Sequence, residues 1–204
     1  MKKPRELGVR AVLSLLAILS FPSAIQAQSS QGAPTYKITP VVSKIRFNVK
    51  ASIPIEGTFE NWDATLAFTS TDVSTGSFDI KIQADSVNTG SKSKDKKLKG
   101  DGCFDVKDHP YITFQSSKII QKAPHVFDVP GTFTIRGVSK EESLTFTAER
   151  EGEGTGVIEG TLWFDRGDFG LGGSIPFVKI ADRVEVTVDF KATRISGPPL
   201  LFKP

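Results

Sequence analysis

The sequence predicts an all-β antiparallel domain, a sandwich or a closed barrel, with one short helix. Three observations predict it. From Tyr36 onward apolar and polar residues alternate with period two, as in strands with one buried and one wet face. Glycine-bearing turn sequences interrupt the alternating runs at short intervals, and such spacing belongs to antiparallel sandwiches and barrels. Only Ser91 to Lys99 can make a helix of any length, and it is short and polar.

The N-terminus stands apart from this pattern. Lys2, Lys3, Arg5 and Arg10 precede an apolar run from Ala11 to Phe21, and "AIQA" ends in the small residue Ala27. A basic region, a short apolar region and a small-residue cut site read as an export signal over residues 1–27. The apolar run is too short for a comfortable bilayer span. The predicted location is therefore periplasmic or secreted, with a single domain over 28–204. Taking four basic and one acidic residue from totals of 26 and 23 leaves 22 of each. That balance removes the electrostatic warrant for a nucleic-acid partner.

The strands follow in order. "KIRFNVK" puts Ile45, Phe47 and Val49 on one face, and "WDATLAF" does the same with Trp62, Ala64, Leu66 and Phe68. "SFDIKIQA" aligns Phe78, Ile80 and Ile82, with Asp79 and Lys81 opposite; "YITFQSS" aligns Ile112 and Phe114. "GTFTIRG" contributes Phe133 and Ile135, and "SLTFTA" Leu144 and Phe146. "TLWFD" is apolar on both faces, with Leu162 and Phe164 on one and Trp163 on the other. A loop covering Trp163, or a lipid cavity on one side, is expected. "DRVEVTVDFKA" alternates most strictly, from Val184 to Ala192. "STGS", "NTGS", "VPGT", "EGEGTG" and "GLGGS" are the expected bends. The prolines of "SGPPLLFKP" bar it from a central strand, so residues 196–204 are expected as a loose tail or an edge cover.

Chemistry is sparse. Cys103 is the only cysteine, so no internal disulfide forms, and nothing nearby activates its thiol. The chain has no G-x-S-x-G elbow and no H-E-x-x-H pair. Ser91 and Ser93 each precede a lysine by three residues, a chance match within a lysine-rich run. His109 and His125 stand sixteen residues apart, and nothing makes Cys103, Asp101, Asp105 and Asp108 converge with His109 as zinc ligands. No catalytic residue, metal or cofactor is expected.

Four segments in order resemble the YceI-like family of exported, polyisoprenoid-binding proteins. They are "SKIRFNVK" (43–50), "KDKKLKGDGCFDVKDHPYITFQS" (94–116), "GTFTIRGVSKEESL" (131–144) and "DRGDFGL" with "ADRVEV". The resemblance covers residues 36–191. Lys94 and Lys97 stand where the family often has arginine and histidine, and His109 stands where tyrosine is frequent. Cys103 and His109 therefore read as packing residues in a turn that launches a strand.

The resemblance implies an antiparallel eight-stranded lipocalin-like barrel that binds an isoprenoid lipid or isoprenoid quinone in its interior. An eight-stranded barrel is either filled by side chains or wide enough for one slim ligand. The implied contacts are Phe47, Trp62, Phe68, Phe78, Ile80, Ile82, Phe114, Phe133, Phe146 and Phe164, with Lys94 and Lys97 as head-group candidates. Lys92, Lys94, Lys96, Lys97 and Lys99 also suit transient contact with an acidic membrane surface. Burial of about ten methylene equivalents at ~0.8 kcal/mol each gives roughly 8 kcal/mol before ordering costs. The competing readings are a ligand-free structural or adhesive sandwich, with a filled interior, and an isoprenoid-acting enzyme, with a buried polar cluster.

Overall fold

The computed structural model describes residues 32–52, 54–172 and 179–202. The expected export signal and the end of "GLGGS" lie outside the described residues. The strands are β1 (Thr35–Ile38), β2 (Lys44–Ala51), β3 (Ile55–Phe59), β4 (Trp62–Phe68), β5 (Gly76–Gln83) and β6 (Val87–Asn88). They continue, after helix α1 (Lys92–Lys99), with β7 (Tyr111–Ser116), β8 (Ile120–Ala123), β9 (Val126–Ile135), β10 (Val138–Gly152), β11 (Thr155–Asp165) and β12 (Ile180–Ser196). Eight of them close a ring in the order β1, β4, β5, β7, β9, β10, β11, β12 and back to β1. The pairings around the ring are antiparallel. The expected eight-stranded barrel with one short helix is thus observed.

The ring is not the same at its two ends, and β12 is the reason. At 17 residues it extends about 56 Å at roughly 3.3 Å per residue, enough to hold two strands along one edge. β1 pairs with residues 192–196 and β2 with residues 180–189. Between them Pro40–Val42 make a single 3-10 turn, because Pro40 has no N–H for a ladder. The Ser43 hydroxyl fills the break by accepting from the Lys191 amide at 2.9 Å. At one pole β1 joins β4 and the ring closes. At the other, β2 carries β3 and then β6 away from the ring, and α1 connects that branch to β7.

Alternation fixes which side chains point inward. β4 buries Trp62, Ala64, Leu66 and Phe68, and β5 buries Phe78, Ile80 and Ile82 while Asp79 and Lys81 stay exposed. The β9–β10 turn, Arg136-Gly137, has φ of 51° and 73°, the twist-matched two-residue hairpin that suits glycine at its second position.

Three expectations change. "VPGT" is not a turn but the middle of β9. Pro130 is tolerated there because it falls between the stretch facing β8 and the stretch facing β7, where that edge needs no ladder donor. The Ser116 hydroxyl donates to its carbonyl at 2.6 Å. Trp163 is 39% exposed; no loop among the described residues covers it, and the Arg183 guanidinium lies 4.7 Å over its ring instead, a stacking worth about 0.5–1 kcal/mol on a surface, while Phe164 on the opposite face lines a cavity. The C-terminal stretch covers a pole rather than an edge. Gly197 turns at φ 76°, Leu200 is buried, the Leu201 amide donates to Thr71 at 3.0 Å, and Phe202 packs on Phe127.

Candidate functional site

The ten inward residues anticipated from the sequence are all buried, but they do not share one cavity. Across the middle of the barrel, Trp62 of β4 meets Phe190 of β12 at 5.0 Å between ring centroids. Phe78 of β5 meets both Phe190, at 6.2 Å, and Phe146 of β10, at 6.3 Å. Phe78 and Phe190 are 0% exposed. These rings form a solid aromatic waist, and a cavity lies on each side of it.

The larger cavity, ≈ 580 Å³, occupies the branched pole. Its walls are Phe47 and Val49 of β2, Ile55 and Phe59 of β3, Ile82, Ile112, Phe133, Ile135, Phe164, and Val184 and Val186 of β12. Gly57 makes room for Phe47: a Cβ there would come within 2.7 Å of that ring and 2.8 Å of the Asn88 carbonyl. Phe133, Phe164 and Phe169 stack edge-on at 5.2–5.6 Å and stiffen one wall. Helix α1 and the turns after it form the lid, through Ser93, Lys96, Lys97, Leu98 and Gly100 to Phe104.

The lid is built from local hydrogen bonds. Asp95 reaches back to the Thr89 hydroxyl at 2.6 Å and the Thr89 amide at 2.8 Å. These bonds, the hydroxyl's first and then the amide's, hold its carboxyl below the ordinary range. The stretch from Asp101 wraps the C-terminus of α1: the amides of Phe104 and Val106 donate to the carbonyls of Leu98 and Lys99, at 2.9 and 3.1 Å. Phe104 is thereby buried against Phe59, with centroids 5.8 Å apart. Cys103 lines the cavity half-buried. Burial pushes its thiol above the ordinary range, over the opposing pull of Arg136 and Arg166, so the thiolate is scarce at neutral pH. His109 sits against Gly137, where a Cβ would meet its ring at 2.9 Å. Among the described residues no group of three His, Cys, Asp or Glu is placed to hold a metal ion.

Among the described residues one guanidinium reaches this cavity, and each of its three nitrogens is engaged. Arg166 donates from Nε to the Ala181 carbonyl and from Nη1 to the Leu171 carbonyl, each at 3.1 Å, and its Nη2 pairs with Asp182 at 3.1 Å. The buried serines Ser43, Ser86 and Ser116 are all hydrogen-bonded elsewhere, and none lines the cavity.

Of the residues anticipated as ligand contacts, Phe47, Ile82, Phe133 and Phe164 line the larger cavity. Phe68 and Phe146 line the smaller one, ≈ 290 Å³, at the closed pole. Trp62, Phe78, Ile80 and Phe114 line neither and fill the middle of the barrel. Lys97 is at the lid of the larger cavity; Lys94 is on the exposed side of α1, and Lys96 takes the place beside Lys97. The aliphatic walls Val49, Val184 and Val186 share the alternating faces of "KIRFNVK" and "DRVEVTV", so their signal was present. Phe59, Ile55 and Phe104 are carried by short segments whose period is too brief to read.

Comparison with known proteins places this geometry. The profile of the YceI-like domain matches residues 36–192. A UPF0312 protein of Pseudomonas savastanoi pv. phaseolicola is 26% identical over 133 residues, 63% of this chain and 69% of that one. Protein YceI of Salmonella arizonae is 31% identical over 98 residues, 48% of this chain and 50% of its own. Among solved structures, BcnA of Burkholderia cenocepacia superposes with a TM-score of 0.70 at 27% identity, covering 76% of this chain and 99% of BcnA. A polyisoprenoid binding domain of Saccharophagus degradans, implicated in plant cell wall breakdown, shares the fold with a TM-score of 0.61 at 15% identity, over 80% of this chain and 98% of that domain.

Proposed function

This chain belongs to the YceI-like family, and we propose from that premise that its larger cavity holds the hydrocarbon tail of an isoprenoid lipid. The observation that carries the reading is an apolar cavity of ≈ 580 Å³ whose single guanidinium is already consumed by three partners. Below the lid such a wall is almost entirely carbon, and it rewards a ligand mainly for removing carbon from water. At about 30 Å³ per heavy atom the space takes roughly nineteen atoms, about four isoprene units. A longer chain would continue past the lid. The polyisoprenoid binding of the Saccharophagus degradans domain supports the same ligand class.

The head group, a quinone or a phosphate, would then lie at the lid beside Lys96 and Lys97. The role proposed is binding rather than catalysis, in keeping with buried serines that are committed to the backbone. The ligand-free sandwich reading is disfavoured because the ring closes around retained space. We propose that the protein is exported and carries, stores or sequesters its lipid in the periplasm. Mass spectrometry of an organic extract of the purified protein tests the ligand, and about one isoprenoid per chain is expected. An extract without isoprenoid, together with no thermal shift on adding ubiquinone, would overturn the reading. Intact mass of the exported protein tests the location, with an N-terminus near Gln28 expected.

A further inference from the structure

We infer that the closed pole is a second, independent binding site, for a single-chain monocarboxylate of about ten carbons. The cavity there, ≈ 290 Å³, is walled by Leu66, Phe68, Val73, Ile119, Ile158 and Leu200. At about 30 Å³ per heavy atom it takes a chain of roughly ten. The aromatic waist of Trp62, Phe78 and Phe190 stands between it and the larger cavity, so one ligand does not occupy both.

Two arginines line this cavity, and they differ in their commitments. Arg150 is spoken for: its Nη2 donates to the Leu200 carbonyl at 3.1 Å and its guanidinium lies 5.9 Å over Phe202. Arg194 follows Phe190 and Ala192 along the inward face of β12, at the end of the barrel. Its Nη1 is shut off from solvent and has no hydrogen-bond partner among the described residues. A buried guanidinium nitrogen left unpaired is costly, and the complement to its planar fork is a carboxylate, which accepts two parallel bonds. Arg166, in the other cavity, has no such demand. Glu149 and Glu153 also line the closed pole, and their charge disfavours a dianion such as a phosphate monoester. Arg194 also borders the open groove beside Gly197 and Pro198. An apolar tube ending in a guanidinium with one unpaired buried nitrogen, with carboxylates nearby, selects a monoanion on a short chain.

Calorimetric titration of the purified protein, carrying whatever lipid it retains, tests this with sodium decanoate and with decanol. Decanoate should bind at one site, at least about tenfold more tightly than decanol, the share expected of a charge-assisted pair. Arg194→Gln should cut decanoate affinity about tenfold and leave decanol unchanged. Ala148→Phe, which fills the cavity from β10, should abolish both, and neither variant should alter the lipid recovered from the larger cavity. The proposal is overturned by absence of decanoate binding, by equal affinity for decanoate and decanol, or by stoichiometric displacement of decanoate by ubiquinone. The wild-type comparison decides the matter even where a variant does not fold. An extract free of isoprenoid and no thermal shift with ubiquinone, beside decanoate binding that Ala148→Phe abolishes, would sink the proposed function alone and leave this site standing.

Discussion

The two poles of this barrel are built from the same strands, yet they present different chemistry. At the branched pole β2 leads the wall away from the ring and α1 closes the gap. Its guanidinium, Arg166, has each nitrogen on a carbonyl or a carboxylate. At the closed pole β1 completes the ring, the C-terminal stretch lies over the end, and Arg194 keeps a buried nitrogen unpaired. The lesson concerns what a cation inside a cavity signifies. A guanidinium with each of its nitrogens engaged is part of the wall. A guanidinium with a donor to spare is a demand for an acceptor.

The waist keeps the poles apart, so removing it breaks the comparison most severely. Phe190→Ala deletes a fully buried ring that touches both Trp62 and Phe78. A cost of about 3–5 kcal/mol is expected, measured by chemical denaturation. If the variant folds, the cavities should merge and its extract should contain longer chains. Unchanged stability and unchanged lipid would show that these rings do not divide the interior.

The next contrast sets the two arginines against each other. Arg166→Met leaves the Ala181 and Leu171 carbonyls without their donor, at about 1–3 kcal/mol, and should loosen that wall of the larger cavity and reduce retained lipid. Arg194→Met removes an unpaired buried donor and should be neutral within about 0.5 kcal/mol or stabilising. The reverse ranking in urea melts would contradict the assignment of commitments.

A smaller effect is expected at the lid of the larger cavity. Cys103→Ser places a hydroxyl in a half-buried site and should cost at most about 1–2 kcal/mol, with lipid content unchanged. Loss of lipid with an intact fold would make the thiol a ligand contact.

The smallest effect is a pH response confined to the branched pole. The Asp95 carboxyl is held below its ordinary value of 3.8 by Thr89. A folded-state value below the unfolded one adds stability above the unfolded value, and that stability fades as pH falls through the folded one. Amide exchange in α1 should therefore quicken on acidification below about 3.8, while β1 and β4 at the closed pole stay protected. Thr89→Val, which removes the hydroxyl bond, should move that onset upward. Uniform loosening of both poles would point to global acid unfolding instead.

The period-two pattern by itself determined the antiparallel class and the inward and outward faces of β4 and β5. The polar stretch Ser91 to Lys99 that interrupts it marked the short helix, observed at Lys92–Lys99. Those are local properties, because successive side chains on a strand must point to opposite faces. The family resemblance then supplied the closure into eight strands. Only the tertiary structure decided where along the barrel each inward residue falls. Phe47 and Phe78 look alike in sequence, yet one lines the larger cavity and the other fills the waist. Height along the axis depends on stagger between strands far apart in the chain, and alternation carries no record of it. The same holds for Pro130, whose place in β9 depends on where β7 ends and β8 begins, and for Trp163, whose outer face is met by an arginine from β12. It holds most of all for Arg194: its inward parity was legible from Phe190 and Ala192, but the missing partner exists only because distant segments shut water away from it.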